Sequence, residues 1–389
     1  MVSLRQARIW AATAFVPFIL FALHSLSTVS IDGARKHKVL FKSSLIRSAS
    51  PSKAQGSQCL VQRGYSGKWI RDWDYANKTH YDIGDDVSLY QPTAESPFRW
   101  ETSWRWQDDA CDVSIVNRDA LCHVCSKLNM TRIFLGGDSL TQLFHLSLLG
   151  LIGQPRKFNH HFGVIPIPCE GEYPDLSVSF GRFDLDPYKE LDRNHTSYIR
   201  DNTEGGTLLV LNTGAHFGGK GVDFFHATIP KFFQWIREIP RSGKDLVFVR
   251  NTLTGHPQCE PRNRTSKEDY VRGFQIYPFD NYSEWETYFE SEMNETEKNM
   301  IARVHGWQFF QYFNDYTKDI VDSSNYHNSS LPTIHWLNVF NSTVLRRDGH
   351  HGVRNPWFAD CLHYFVPGPT DWWVHLWFSN LKDLAEAWW

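Results

Sequence analysis

The 389-residue sequence lacks an excess of either charge, since 40 Lys and Arg stand against 43 Asp and Glu for a formal net charge of -3. Proteins that bind nucleic acid need a basic surface to neutralise phosphates, so a nucleic-acid partner is not expected. Charged residues make up only 21% of the chain and hydrophobic residues 41%, which excludes a disordered protein. We therefore expect a folded protein that acts on a different class of partner.

The sequence also lacks a second long apolar stretch, so a protein that crosses the membrane several times is excluded. The one sufficient stretch is residues 9–29, which we interpret as an uncleaved signal anchor after a cytosolic tail of residues 1–8. Residues 30–58 predict a stem, and residues 59–389 the folded lumenal part. Cleavage of a signal peptide at Ser25-Leu26-Ser27 remains the alternative.

Asparagine and cysteine patterns also place the folded part outside the cytosol. Eight of the 19 Asn begin an Asn-x-Ser/Thr sequon, where chance would give roughly three. These candidate glycosylation sites are Asn77, Asn129, Asn194, Asn263, Asn281, Asn294, Asn328 and Asn341. All seven Cys follow the apolar stretch, as in a disulfide-bonded lumenal region with one thiol left over.

A zinc site is the competing interpretation of Cys122-x-x-Cys125 with His123. A structural zinc site normally needs a second pair of ligands at short spacing, and none follows in the sequence. We therefore predict no metal site.

Short apolar runs alternate with longer mixed segments, which predicts an α/β fold whose mostly parallel sheet is covered on both faces. Strands are predicted at residues 132–136, 207–211, 246–249 and 333–340, and helices at 140–152, 222–239, 294–317 and 370–388. From Cys59 to Cys111 the pattern is irregular, and we expect loops and short strands there. Active sites in such folds lie at the carboxyl ends of the strands.

The sequence Gly136-Gly137-Asp138-Ser139-Leu140 lies where a predicted strand ends and a helix begins. Glycines permit a tight turn there, and the helix N-terminus directs partial positive charge at the Ser139 hydroxyl. Both features suit a nucleophile. An N-cap role for Ser139 is the alternative when the motif is considered alone.

Near the other end of the chain, Asp360 precedes His363 by three residues, just before the last predicted helix. A His can accept a serine proton when a carboxylate fixes its tautomer, and we expect one tight loop to hold both residues. Asn212 follows a predicted strand, where its amide could donate to an oxyanion beside the Ser139 N–H or close an Asx-turn.

This combination resembles the SGNH/GDSL esterase superfamily, and in particular the plant trichome-birefringence-like polysaccharide O-acetyltransferases and their PC-esterase-domain relatives. The motifs that carry the resemblance are Trp104-Arg105-Trp106-Gln107 before Cys111, Gly137-Asp138-Ser139-Leu140, Asn212-Thr213-Gly214, Arg346-Arg347-Asp348-Gly349-His350, and Asp360-Cys361-Leu362-His363 before Pro367-Gly368. The motifs occur in the same order as in the family, and the resemblance covers residues 59–389. The resemblance implies that Ser139 is the nucleophile, His363 the base, Asp360 its orienting carboxylate and Asn212 an oxyanion donor.

The resemblance also implies the disulfides Cys59–Cys111 and Cys259–Cys361, which leaves one pair and one thiol among Cys122, Cys125 and Cys169. Two departures from the plant pattern stand out. Tyr364-Phe365 replaces the usual Trp-Cys, and Ala215-His216-Phe217 replaces His-Trp-Trp, which leaves the acceptor open.

These features predict a single-pass type II Golgi membrane protein with an SGNH-like three-layer domain behind an irregular disulfide-tied lobe. Its expected reaction moves an acetyl group through a serine-linked acyl-enzyme onto hydroxyls of a polysaccharide or glycan acceptor. Deacetylation by the same triad, and a non-catalytic glycan-binding scaffold, remain alternatives. An acetyl donor is required, and the sequence shows no phosphate-cradling loop for coenzyme A, so we expect no bound cofactor. Further expected partners are the membrane, through residues 9–29, and an acetyl-donor transporter.

Two further motifs leave their roles open. Arg346 to His350 suits either substrate contact or a structural turn. Trp104 to Gln107 suits a structural role better than sugar stacking, although aromatic residues reach 15% of the chain.

Overall fold

The computed structural model divides the chain into two units, residues 1–50 and 51–389. The structure describes parts of the second unit: residues 56–78, 100–154, 163–257, 259, 278–294, 305–327, 332–355 and 358–387. None of the helices in these ranges is long and apolar enough to cross a membrane. The predicted anchor at residues 9–29 lies outside the described residues, as do the tail and most of the stem.

Ten strands are found within the described ranges. They are β1 (Gly67–Arg71), β2 (Trp104–Asp108), β3 (Met130–Gly137), β4 (Val164–Ile167), β5 (Leu176–Arg182), β6 (Gly206–Leu211), β7 (Leu246–Arg250), β8 (Ile334–Leu337), β9 (His350–Asn355) and β10 (Phe358–Tyr364). The α-helices in the same ranges are α1 (Gly56–Gln62), α2 (Trp73–Lys78), α3 (Arg118–Lys127), α4 (Ser139–Leu151), α5 (Pro187–Glu190), α6 (Arg193–Arg200), α7 (Val222–Glu238), α8 (Tyr282–Asn294), α9 (Phe310–His327), α10 (Phe340–Thr343) and α11 (Pro369–Ala387).

Six strands form the central sheet in the order β4-β5-β3-β6-β7-β8. Every neighbouring pair is parallel except β4 and β5, which are antiparallel. Strands β6 and β7 are buried along their whole length, which explains their continuous apolar sequences. The predicted α/β class and mostly parallel sheet are confirmed.

The carboxyl ends of three central strands coincide at one edge of the sheet. In the β3–β5 register Gly137 lies opposite Arg182, and in the β3–β6 register Gly136 lies opposite Leu211. Residues that follow β3 and β6 therefore meet at this edge.

The helix predicted at residues 294–317 is confirmed over residues 310–317 but is wrong as one continuous helix. α8 ends at Asn294 and α9 begins only at Phe310, after a short 3-10 turn. Gly306 precedes that turn with φ of +65°, and a Cβ at Gly306 would lie 2.3 Å from the carbonyl carbon of Gly218. A helix cannot continue through a left-handed residue in such close contact. The strand predicted to reach residue 340 ends at Leu337, and β4 and β5 were not predicted.

The segment from Cys59 to Cys111 contains a β1–β2 hairpin, the short helices α1 and α2, and a disulfide between its two end cysteines. The two helices were not predicted. Trp106 of β2 is buried and packs edge-on against Trp69, 5.5 Å between ring centroids. Trp104 is buried as well. These contacts support the structural interpretation of the Trp104 motif.

Candidate active site

Ser139 lies at the turn between β3 and α4. Gly137 has φ of +151°, and a Cβ there would lie 2.5 Å from Thr141 Oγ1, so the turn requires glycine. The helix cap is Asp138, whose Oδ1 accepts from Leu140 N at 3.0 Å and from Thr141 N at 3.4 Å. Ser139 is thus the first helical residue rather than the N-cap, and its N–H has no acceptor within the helix.

Asp360 and His363 lie on β10, which pairs with β9 in an antiparallel hairpin. Asp360 is opposite Gly352 and Tyr364 is opposite His350, so three residues of β10 bulge against a single residue of β9. The expected tight loop is therefore wrong, and a bulged strand holds the two side chains instead. The bulge places an aspartate and a histidine three residues apart on the same side of the chain.

The structure brings Ser139, His363 and Asp360 together across 224 residues of sequence. Ser139 Oγ lies 2.7 Å from His363 Nε2. His363 Nδ1 lies 3.0 and 2.9 Å from the two Asp360 carboxylate oxygens. Because a carboxylate only accepts, Nδ1 carries the proton and Nε2 is left to accept from the Ser139 hydroxyl. This geometry can remove a proton from serine as its oxygen attacks.

Asp360 is 4% exposed, and its carboxylate accepts from further donors besides the histidine ring. Its Oδ1 accepts from His363 N at 3.0 Å and from Leu362 N at 3.3 Å. These bonds fold the bulge around the carboxylate. The same acid therefore shapes the chain and orients the His363 ring.

A disulfide connects this bulge to the segment that follows β7. Cys259 and Cys361 are bonded at 2.02 Å, and His256 N donates to Cys361 O at 3.0 Å. The Tyr364 hydroxyl donates to Thr254 O at 3.0 Å on the same segment. Both disulfides implied by the resemblance, Cys59–Cys111 and Cys259–Cys361, are present.

Asn212 lies next to the serine turn, but its amide hydrogens already have acceptors. Nδ2 donates to Arg250 O at 2.9 Å and to Thr252 Oγ1 at 3.2 Å. Its Oδ1 is buried without a hydrogen-bond partner among the described residues. Asn212 could therefore donate to an oxyanion only after releasing one of these two bonds.

Arg250, at the end of β7, supports the serine turn and was not singled out from the sequence. Its guanidinium is buried and donates to Thr141 Oγ1 at 3.2 Å and to Asn251 O at 2.8 Å. Burial lowers the pKa of Arg250 to about 10, and the nearby Asp138 carboxylate opposes that shift. The sequence feature that could have identified Arg250 is a charged residue directly after the apolar run 246–249.

Arg346 and Asp348 of the Arg346 to His350 motif make structural contacts in this fold. Arg346 is fully buried and forms a bidentate ion pair with Asp348, at 2.7 and 2.8 Å. It also donates to Glu101 O at 2.6 Å, and its guanidinium carbon lies 4.3 Å from the Trp69 ring centroid. Arg346 thereby ties the β1–β2 region to the turn before β9.

The remaining cysteines form one more disulfide. Cys122 is bonded to Cys169, and Cys125 is a buried thiol whose pKa burial raises to about 12. His123 Nδ1 lies 2.9 Å from the Tyr173 hydroxyl. Because the Cys122 sulfur is in a disulfide, the Cys-x-x-Cys motif does not offer the two thiolates that zinc requires.

Several predicted glycosylation sites can be located. The side chains that are exposed are Asn77, Asn129, Asn194 and Asn281. Asn341 is half-buried, and its Nδ2 donates to Tyr65 O at 3.1 Å. Asn263 and Asn328, together with the side chain of Asn294, lie outside the described residues.

The described geometry accords with the comparisons to known proteins. Residues 198–380 match PC-Esterase, described as a GDSL/SGNH-like acyl-esterase family found in Pmr5 and Cas1p. Residues 198–380 are therefore similar to a PC-Esterase domain. Asn212, Asp360 and His363 lie inside the matched residues, and Ser139 precedes them.

A similar protein extends the likeness beyond the PC-Esterase match. The Arabidopsis thaliana protein trichome birefringence-like 31 is 20% identical over 354 residues, which cover 82% of this chain and 81% of that protein. The family description and the Ser–His–Asp arrangement together make the chain an enzyme of the acyl-esterase and acyltransferase kind.

Proposed function

We propose that this protein transfers an acetyl group through an ester on Ser139 to a hydroxyl of a polysaccharide or glycan. The observation that carries the proposal is the 2.7 Å contact between Ser139 Oγ and His363 Nε2, with His363 Nδ1 held by both oxygens of Asp360. This arrangement gives a serine the base that it needs at neutral pH.

In the first half-reaction Ser139 Oγ forms a bond to the acetyl carbonyl carbon of the donor. His363 Nε2 takes the hydroxyl proton as that bond forms, and Asp360 stabilises the resulting imidazolium. The bond between the carbonyl carbon and the donor oxygen then breaks, and His363 returns the proton to the leaving oxygen. The N–H of Ser139, at the start of α4, supports the transient oxyanion.

In the second half-reaction an acceptor hydroxyl attacks the acetyl carbon of the Ser139 ester. His363 takes the acceptor proton and passes it to Ser139 Oγ as the ester bond breaks. No metal is needed for either half-reaction, so a chelator should leave the rate unchanged. We assign no bound cofactor to the cycle, and the donor is a separate acetyl compound.

Polar side chains that border the triad suit a hydroxyl-rich acceptor. Arg182 and His216 both pair with Asp184, at 3.4 and 3.3 Å, and all three are partly exposed. Partial burial, and then the nearby charges of His216 and His363, lower the pKa of His305. These groups offer both donors and acceptors, with which sugar hydroxyls can form hydrogen bonds.

Transfer and hydrolysis share the acyl-enzyme and differ in whether a sugar hydroxyl or water attacks it. The motif resemblance to polysaccharide O-acetyltransferases favours transfer, and the acyl-esterase description of the family favours deacetylation as the second candidate. Three aligned catalytic groups argue against a scaffold, since binding would not require them. For the cell we propose a type II Golgi protein with its catalytic domain in the lumen, and an acetyl-donor transporter as partner.

The division of acetyl groups from one donor between sugar and water distinguishes transfer from hydrolysis. The full chain is incubated with an acetylated donor, with and without a panel of oligosaccharides, and free acetate and acetylated sugar are both quantified. Transfer predicts acetylated sugar that increases with acceptor while acetate falls, and Ser139→Ala should abolish both products. Acetate release at the same rate with every acceptor would assign the esterase direction instead.

A further inference from the structure

Two buried histidines outside the triad are in hydrogen-bond contact with each other, and one of them also contacts the backbone of His363. His256 is fully buried and His350 is 3% exposed. His256 Nδ1 lies 2.6 Å from His350 Nε2. The outer nitrogens face backbone oxygens: His256 Nε2 is 2.6 Å from Val344 O, and His350 Nδ1 is 3.2 Å from His363 O.

The four ring nitrogens of this pair can be assigned protons by counting. A carbonyl oxygen only accepts, so His256 Nε2 and His350 Nδ1 must both carry a hydrogen to make bonds with Val344 O and His363 O. The contact between the two rings needs one more hydrogen. Three hydrogens are required, whereas two neutral imidazoles supply only two.

We infer that the His256–His350 pair holds a third proton, and that His350, as an imidazolium, is a positioning residue that fixes the backbone of His363. His350 donates from Nε2 to His256 and from Nδ1 to the His363 carbonyl. Loss of that proton would turn one of the contacts into two facing lone pairs. The contact at 3.2 Å, to His363, is the longest of the three and is the one we expect to open.

The surroundings of the pair agree with a neutral His256 and a charged His350. Burial lowers the pKa of His256 to about 4; the bond to Val344 O opposes this shift and Arg347 adds to it, so His256 is the partner that accepts. The Tyr364 ring lies 4.1 Å from the His350 ring, centroid to centroid, where its face can stabilise a cation. Burial raises the pKa of Tyr364 well above its usual range, so its hydroxyl stays neutral.

Among the described residues, the charged groups near the pair are the cations Arg346 and Arg347 and two carboxylates with their own partners. Asp348, two residues before His350, is bonded to Arg346 through both carboxylate oxygens. Asp360, on the strand that carries His363, is bonded to the His363 ring. The described contacts that stabilise a charge on His350 are its bonds to His256 and to the His363 carbonyl and its contact with the Tyr364 ring.

Nitrogen-15 NMR of the histidine-labelled full chain tests the protonation state directly. The signals of the pair are assigned by their loss in His350→Asn and His256→Asn. We expect both nitrogens of His350 to be protonated at pH 6 to 7, and one proton to be lost as the pH rises. A His350 with one unprotonated nitrogen throughout this range would overturn the inference.

The pH dependence of kcat tests the consequence for catalysis, which rests on the proposed function. The wild type should lose activity by about tenfold or more as His350 deprotonates, because the His363 ring is then less well positioned. His350→Asn keeps an amide donor that does not titrate, so it should remain active and lose this basic decline. His375, on α11, is a matched buried histidine, bonded to the Tyr75 hydroxyl at 2.8 Å.

His375→Asn should therefore lower stability and keep the wild-type pH profile. The same basic decline in His350→Asn as in the wild type would contradict the positioning role. If the protein showed no acyl chemistry and His350 still gave an imidazolium spectrum, the proposed function would fail and the charged pair would stand.

Discussion

Asp360 binds His363 through the ring and through the backbone at once. Both carboxylate oxygens lie within 3.0 Å of Nδ1, and Oδ1 also accepts from the His363 N–H at 3.0 Å. One side chain therefore sets the tautomer, the orientation and the local chain path of the proposed base. A second Asp-x-x-His in the chain, Asp192 and His195, makes a similar ring contact at 2.7 Å but caps helix α6.

Asp360→Asn should lower kcat by about three to four powers of ten, because an amide donates where a carboxylate accepts and the His363 tautomer is reversed. Steady-state rates with a small acetyl ester would measure the loss. Asp192→Asn is the matched control and should keep the wild-type rate, although it weakens a helix cap. Comparable rates for Asp360→Asn and Asp192→Asn would mean that Asp360 is not the orienting carboxylate.

Variants at Asn212 and Thr252 test whether the Asn212 amide donates a hydrogen bond to the oxyanion. If Nδ2 leaves Thr252 Oγ1 in the transition state, Asn212→Ala should lower kcat by roughly a hundredfold. Thr252→Val removes the competing acceptor and should keep kcat within a few fold. If Asn212→Ala lost thermal stability while its kcat stayed near wild type, Asn212 would belong to the scaffold.

The Cys259–Cys361 disulfide should matter for both stability and rate. It closes a separation of 102 residues and adjoins Asp360, so the double change to Ser should cost about 2–5 kcal/mol in free energy of unfolding and lower kcat. Denaturant unfolding and ester turnover measure the two effects. The matched control is the double Ser variant of Cys122–Cys169, for which we expect a stability loss with kcat preserved. Equal kcat losses in both variants would show that the Cys259–Cys361 disulfide has no specific role in holding the active site.

Stability should fall in acid because several histidines are buried in the neutral form. Burial lowers the pKa of His145 and His335 to about 4 and that of His375 to about 3, from 6.5. Between pH 6.5 and 4 the unfolded chain binds protons that the folded chain does not. The stability contributed by the neutral histidines is therefore fully present above pH 6.5 and decreases toward pH 4.

His145→Phe isolates one of these contributions. The His145 ring stacks on Phe180 at 5.7 Å, and phenylalanine can keep that contact without titrating. Urea unfolding at pH 7 and pH 4.5 should show a stability loss smaller than that of the wild type, by on the order of 1–3 kcal/mol. Identical losses in the two proteins would show that His145 is not neutral in the fold.

The sequence allowed the central strands and the serine turn to be predicted because local chemistry determines both. Buried parallel strands are continuous apolar runs, and a Gly-Asp-Ser turn after such a run begins a helix. The region around Gly306 was mispredicted because its backbone is set by contact with Gly218, which is distant in sequence. Strand β5 carries Ser and Gly in its interior, so its apolar pattern is weak.

Part of the site was also predictable because local sequence motifs determine it. Ser139, Asp360 and His363 stand in recognisable local motifs, whereas Arg250 and the His256–His350 pair act through contacts between distant segments. The hydrogen bonds of Asn212 likewise depend on Arg250, at the end of β7, and on Thr252, two residues further on. Composition and spacing do not encode such contacts.

Mass spectrometry of the full chain mixed with acetyl donor, in the absence of acceptor, shows whether Ser139 forms an acetyl ester. We expect an acetyl group on the Ser139 peptide, absent in Ser139→Ala and strongly reduced in His363→Ala. Addition of acceptor should remove this group and produce acetylated sugar. Acetyl transfer at the wild-type rate by Ser139→Ala, with no modified Ser139 peptide in the wild type, would contradict the proposed mechanism.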